Sequence, residues 1–374
     1  MSITLREVIP QNYSSDGYGE FSNVDYVLSH PGESMVLGSV RICGDLVITN
    51  NDIDLFETAN VNLDINIDNL CGAGALFNSI QTSTNAGVLE NCNSLPRYSK
   101  MKTACEKSLD DLNNGSSLCE LKSAHPNFTH TLIRGEIPQT QQTTPIHVAP
   151  DFSVKPNICL NSQDGRLPYS RTGDIRLTVN MAQVASCLYG MDMNTTTKYV
   201  VKNMNVLYST YPSRQEDNEP IQLHTLTSVQ TSIASSQANV YAQVSAIASS
   251  VSCSFIPTEE HNQLIYNSLS LHKVPNLQEL QFSMNDSTNK LISFVIRDDQ
   301  EVISLFLDSF GDTGKNSLSR NNMNNNNAYG VGLRFSDNNG IDLRNQKFNI
   351  QLNSNVRNTD PLTMFLYFHG VINV

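Results

Sequence analysis

Four groups of residues in this chain have the types and spacing that chemistry could use. Gly311-Asp-Thr-Gly314-Lys315-Asn316-Ser317 has the ingredients of a phosphate-cradling loop, in which backbone N–H groups and a lysine surround an anion. That motif needs a glycine five residues before its Gly-Lys pair and a Ser or Thr directly after the lysine, and Ser309 and Asn316 stand there instead. Asp337-Asn-Asn339-Gly-Ile-Asp342 has the look of a calcium loop but lacks the bidentate glutamate that closes one, so a turn is expected. His125 and His130 flank Pro126, Asn127 and Phe128, which places them in a surface loop. The carboxylate pairs Asp110-Asp111, Glu259-Glu260 and Asp298-Asp299 are adjacent in sequence; in a strand they face opposite ways and cannot share a proton, so solvation and helix capping account for them.

Other constellations fail in the same manner. The 8 cysteines contain no C-x-x-C pair, which argues against a zinc site, and their apolar surroundings suit free buried thiols. No Gly-x-Ser-x-Gly elbow is present. The longest basic grouping, Arg97, Lys100 and Lys102, reads as a solvated helix face. A net charge of -12 argues against nucleic acid as the main partner, because neutralising phosphates takes clustered Lys and Arg. No catalytic, cofactor-binding or metal-ligating residue is assigned, no cofactor is expected, and the chain is expected not to be an enzyme.

The elements that any function must rest on are mostly strands. The 374 residues include 43 asparagines and no tryptophan, with 16% charged residues, a composition that favours turns and loops between strands. Met35 to Ile48 is a strong β signal interrupted by Gly38 and Gly44. Val61, Leu63, Ile65 and Ile67 alternate with polar residues, as do Ile175, Leu177, Val179 and Met181, then Val200, Met204, Val206 and Tyr208, then Leu280, Phe282 and Met284. Strands are also expected at 131–137, 152–160, 221–257, 292–296 and 348–352. Residues 74–122 look helical, with Leu76, Phe77 and Ile80 at helical spacing. A second helix is expected between Asp298 and Phe310, where Asp298 and Glu301 form a capping box and Gly311 follows the end.

Residues 362–374 form the most apolar stretch, and Phe365, Tyr367, Phe368 and Val371 are too costly to leave in water. A central strand covered on both faces is expected there, closing the core of a jelly-roll or related Greek-key sandwich. The fold class is therefore mostly β, a jelly-roll β-sandwich with a second β-rich domain and few short helices. Residues 1–34 read as a polar N-terminal arm, 35–211 as a β-rich domain with jelly-roll strands, and 221–374 as a second β-rich domain whose last strand completes the jelly roll. The proline-bracketed stretch 212–220 is the linker, and the Asn-rich stretch 311–327 an exposed loop. No internal repeat with a fixed period is visible. The first residues lack a signal peptide and no apolar run is long enough to span a membrane, so synthesis in the host cytoplasm is expected.

Several blocks together resemble capsid proteins of icosahedral double-stranded DNA viruses, most closely the penton (vertex) or minor capsid protein of virophages. These are Gly72-Ala-Gly-Ala-Leu-Phe-Asn-Ser-Ile80, Gly87-Val-Leu-Glu90, Leu95-Pro-Arg-Tyr-Ser-Lys-Met101, Phe152-Ser-Val-Lys-Pro-Asn-Ile-Cys-Leu-Asn161, Thr172-Gly-Asp-Ile-Arg-Leu177, Leu188-Tyr-Gly190, Val251-Ser-Cys-Ser-Phe255 and Leu280-Gln-Phe-Ser-Met-Asn-Asp286. The resemblance implies a structural protein of the virion that self-associates, as a pentamer at each fivefold vertex, beside neighbouring major capsid proteins and without catalytic residues. Its size departs from that pattern, since one jelly roll uses about half the chain. A double-jelly-roll major capsid subunit is the alternative, and a receptor- or glycan-binding spike module is a third reading.

Overall fold

The computed structural model describes residues 3–55, 64–112, 114, 119–122, 130–131, 151–213, 221–244, 246–284, 290–295, 298–311, 318, 328–335, 340–344 and 346–374. Thus most of the strand expected at 131–137, the linker beyond Ser213, most of the Asn-rich loop, and His125 with the residues up to 129 lie outside the described residues, while His130 pairs with Ile67 in a two-residue strand rather than a loop.

The first half contains ten strands that matter here: β1 (Thr4–Val8), β2 (Asn23–Leu28), β3 (Glu33–Leu37), β4 (Arg41–Asn50), β5 (Phe77–Thr84), β6 (Gly87–Cys92), β7 (Asp151–Val154), β8 (Gly165–Pro168), β9 (Ile175–Met181) and β10 (Thr197–Pro212), with helix α1 (Leu95–Glu106) after β6. One sheet runs β1-β10-β4-β7, with β3 and β8 extending it, and the facing sheet runs β2-β9-β5-β6. The alternation read at Ile175–Met181 is β9, whose odd positions enter the core.

The second half repeats the scheme. Its strands are β11 (Gln222–Ile233), β12 (Gln237–Gln243), β13 (Ile247–Pro257), β14 (Glu279–Met284), β15 (Lys290–Val295), β16 (Val331–Arg334), β17 (Lys347–Asn353) and β18 (Leu362–Asn373), with helix α2 (Asp299–Ser309) after β15. The sheets run β11-β18-β13-β16 and β12-β17-β14-β15. Both halves are therefore jelly rolls with one strand order, and each carries a helix between the fifth and sixth of its eight shared strands. The duplication is invisible in sequence because a jelly roll fixes only which positions face inward, and any apolar side chain of suitable size meets that demand.

Four expectations change. Much of the stretch read as an N-terminal arm is built into the sheets: Thr4–Val8 lies along Val206–Thr210, and Asn23–Leu28 along Ile175–Asn180. The helical spacing of Phe77 and Ile80 belongs to a strand. A bulge between the Ser79 and Phe77 pairings with β9 inserts one residue, so two inward side chains stand three apart rather than two. The strand expected at 152–160 ends at Val154 and gives way to a short 3-10 turn at Cys159–Asn161. The final strand, β18, is central as expected, flanked by β11 and β13, but it completes the second roll, while β10 fills the same place in the first. The helix expected after Asp298 forms as read, and its carboxylate accepts hydrogen bonds from the N–H groups of Gln300 (2.8 Å) and Glu301 (3.1 Å).

Candidate functional site

The two rolls meet over a junction that holds most of the buried charge among the described residues. Helix α1 lies there, buried at nearly every position, with Arg97 and Tyr98 against the outer face of β18, while β6 lies beside β11. The face of β18 not turned toward its own core carries Phe365 and Tyr367, and both join the hydrophobic cluster of the first roll. This is why β18 is apolar on both faces: one serves the second roll and the other serves the junction. Tyr98 of α1 stacks near Phe310 (5.8 Å between ring centroids) and Tyr367 (5.5 Å), and the Tyr367 hydroxyl donates to the Ser94 carbonyl at 2.9 Å.

Of the three basic residues read as a solvated face, Lys102 is partly exposed, while Arg97 and Lys100 are the reverse of that. Arg97 is 2% exposed; its Nη1 donates to the Ser270 carbonyl at 2.8 Å, its Nη2 to the Ser268 carbonyl, and its guanidinium lies 4.4 Å from the centre of the Phe365 ring. Desolvation lowers its pKa to about 10, so it stays charged at neutral pH. One turn on, the Lys100 Nζ meets Asp68 Oδ2 at 2.6 Å, with both side chains wholly out of solvent. Asp68 also accepts from the N–H groups of Leu70 (3.0 Å) and Cys71 (2.9 Å) and from Asn267 Nδ2 (2.8 Å), which fills its lone pairs. Arg97, Lys100 and Asp68 belong to the first half, and Ser268, Ser270 and Asn267 to the connection between β13 and β14 of the second. The cluster thus joins the rolls and gives each buried charge a polar partner, the condition under which buried charge is tolerated. A signal for this was present in sequence: Arg97 and Lys100 alternate along one helix with Tyr98, Met101 and Ala104, leaving no wholly polar face.

Glu90 makes a second link. It is buried, and its two oxygens accept from the backbone N–H of Cys159 (2.7 Å), in the first roll, and of Leu226 (2.8 Å), in the second. Burial raises its pKa to about 7. It borders a cavity of about 470 Å³ between the rolls, with Lys102, Glu106, His224, Arg334 and His369 in the wall. Nearby, His272 Nε2 lies 3.0 Å from Glu260, and burial with the Arg97 and Lys100 charges lowers the His272 pKa to about 4. At neutral pH it is a neutral hydrogen-bonding group rather than half of an ion pair.

Asp111, Asp298 and Asp342 are tied down structurally. Asp111 accepts from the Ser108 N–H (3.2 Å) and hydroxyl (2.8 Å), and Asp298 caps α2. Asp342 is held by Arg344 at 2.6 Å. Of the glycine-lysine loop only Gly311 is described. No group of three or more His, Cys, Asp or Glu suited to a metal ion occurs among the described residues, and all eight cysteines are free, with Cys119 alone exposed.

Among sequences, no family model and no curated protein matches the chain. Among solved structures it is similar over its whole length to the Faustovirus major capsid protein, with a TM-score of 0.64 at 7% identity, covering 100% of this chain and 90% of that one. It is also similar to VP54 of PBCV-1 as fitted into a reconstruction of the virophage Sputnik (0.61, 9%, 100% and 95%) and to the mavirus major capsid protein (0.52, 8%, 99% and 90%). The chain has the fold of viral capsid proteins. At such identities the likeness lies in the backbone path, not in shared side chains.

Proposed function

We propose that this chain is a structural subunit of an icosahedral viral shell, located in the virion, and specifically a double-jelly-roll major capsid subunit. The observation that carries the reading is the duplication. Two rolls with one strand order, each with a helix at the same connection, lie side by side and match capsid proteins over 100% of the chain. The role is that of a structural protein rather than an enzyme, and the clustered charges at the junction hold two walls together instead of facing a substrate.

A shell needs subunits that present walls at repeated angles, and a fused pair of like rolls supplies two such walls per chain. Three copies would place six rolls in a ring. The vertex assignment suggested by the sequence resemblance, with five copies, is the neighbouring reading. The division into an arm and two domains becomes two rolls, joined near 213–220, with the N-terminal segment inside the first. Measuring the mass of the purified full chain in solution, followed by electron microscopy of the particles, tests this. A trimer supports the major-subunit reading and a pentamer the vertex reading. A chain that stays single at all concentrations and forms no higher assembly overturns both.

A further inference from the structure

A groove of about 300 Å³ opens at the seam between the rolls, walled by Phe21, Asn78 and Gln183 of the first and by Gln230 and Asn262 of the second, with Arg97 also in its lining. That volume is at the small end of the range for ligand sites, ~300–1,000 Å³. Asn78, Gln183, Gln230 and Asn262 are all exposed, and the side-chain amide of each is without a hydrogen-bond partner among the described residues. Each amide offers two donors and a two-lone-pair acceptor, the mixture that a sugar hydroxyl, itself donor and acceptor, can use.

Arg97 supplies the charge. Lys100 and Asp68 neutralise each other, whereas Arg97 meets two carbonyls and the Phe365 ring but pairs with no carboxylate among the described residues. Of its five N–H groups, those on Ser268 and Ser270 are used and three remain, on a side chain that is 2% exposed. A buried cation without a counter-charge is costly, and an anion that reaches it is attracted more strongly than it would be in water. No Asp or Glu lines the groove among the described residues, in a chain whose net charge is -12. His261, also in the lining, is held neutral at pH 7 by burial and by the Arg97 charge, with its pKa lowered to about 4, so it adds a hydrogen-bonding nitrogen.

Phe21 supplies an apolar platform at the rim. It is 70% exposed and stands at φ 62°, a left-handed conformation that bulky side chains rarely adopt and that persists only where the surrounding structure imposes it. We propose that this groove binds a carboxylate-bearing saccharide of the uronic or sialic acid class, with the carboxylate on the spare Arg97 N–H groups, the hydroxyls on the amides of both rolls and the C–H face of the sugar ring against Phe21. The sugar is bound and not transformed. A neutral sugar leaves Arg97 without its counter-charge, and a bare carboxylate leaves the amides and Phe21 unused, so the arrangement selects a ligand that has both parts. The N–H groups involved are those left over from the link between the rolls, and the inference does not depend on which capsid position the chain fills.

The experiment titrates the full chain with the methyl glycosides of glucuronic acid and of N-acetylneuraminic acid, and for comparison with methyl glucoside and with acetate, read by saturation-transfer NMR and calorimetry. At least one acidic glycoside is expected to bind at least ~10-fold more tightly than methyl glucoside and than acetate. Phe21→Ala and Gln230→Glu replace solvated side chains, so both variants should fold, which circular dichroism and melting check. The first should weaken the acidic glycoside by at least ~5-fold through loss of the ring contact. The second should weaken it by at least ~10-fold by facing it with a like charge. Tyr241→Ala, at an exposed aromatic outside the groove's lining, should leave binding unchanged. Absence of binding by both acidic glycosides, equal binding of methyl glucoside or acetate, or full affinity in both groove variants overturns the proposal while leaving the capsid reading standing.

Discussion

Helices α1 and α2 occupy the same place in two rolls of the same strand order, yet they are held by different physics. Helix α2 behaves as an ordinary amphipathic helix: Asp298 caps it, Val302 and Phe306 enter the core, and its polar side is wet. Helix α1 has no side-chain cap, starts from Ser94 in a left-handed conformation (φ 54°), and is buried at nearly every position, Arg97 and Lys100 included. The difference teaches that location in the assembly, not position in the fold, sets the chemistry of an element. The α1 sequence is tuned to a junction with a second roll, so its cations find carbonyls and a carboxylate where those of a surface helix would find water.

Removing one partner of the buried pair should show the contrast at its largest. Lys100→Met strands Asp68 as a buried charge and is expected to cost about 3–5 kcal/mol in denaturant unfolding. Gln300→Ala, at an exposed position of α2, should change stability by under ~0.5 kcal/mol. Equal effects would erase the distinction between the helices.

Arg97→Met should follow, at about 2–3 kcal/mol, because it leaves the Ser268 and Ser270 carbonyls without their charged donor. Since those bonds cross between rolls, calorimetry should resolve two unfolding steps where the wild type shows one. A single step at lower temperature would mean that Arg97 stabilises only the first roll.

The pH response should also localise to the junction. The pKa values of His261 and His272 are lowered to about 4 and that of His369 to about 3, with burial the leading cause in each. A histidine whose folded pKa lies below its unfolded value binds fewer protons when folded. Its contribution is therefore present above the unfolded value of ~6.5 and lost as the pH falls toward 4. Glu90 acts in the opposite sense: its raised pKa makes the folded state hold a proton that the unfolded state releases, so stability falls as the pH rises from ~4.5 to 7. Melting temperature should drop between pH 6.5 and 4, and Glu90→Gln should steepen that drop by removing the opposing group.

The smallest contrast lies in the caps. Asp298→Ala is expected to cost about 1 kcal/mol. Ser94→Ala should cost no more than a few tenths, since the Ser94 side chain accepts no capping bond and only its carbonyl is used, by Tyr367. A cap effect of similar size in both would show that α1 depends on local capping after all.

Particular elements mark the boundary between what was legible and what was not. The alternation of β9 and β14, the Asp298 capping box and the two-sided apolarity of β18 could be read from residues alone, because each follows from one local periodicity. The bulge that turned Phe77 and Ile80 into a false helix signal could not be, since it exists only in the pairing with β9. Strand β1 was missed for a related reason: Ile3, Leu5 and Ile9 face solvent, so its sequence carries no inward apolar face to detect, whereas the inward Val24, Tyr26 and Leu28 of β2 do alternate. The burial of Arg97 and Lys100 depends on residues some 170 and 30 positions away, beyond any local window.

By itself, then, the sequence determined that the chain would be β-rich, with its apolar closing segment placed centrally, because inward positions must be apolar wherever the strand lies. Only the tertiary structure decided that there are two like rolls and that a charged helix seals them together. Strand order and long-range pairing are properties of contacts between distant residues, and many different side chains satisfy the same contact.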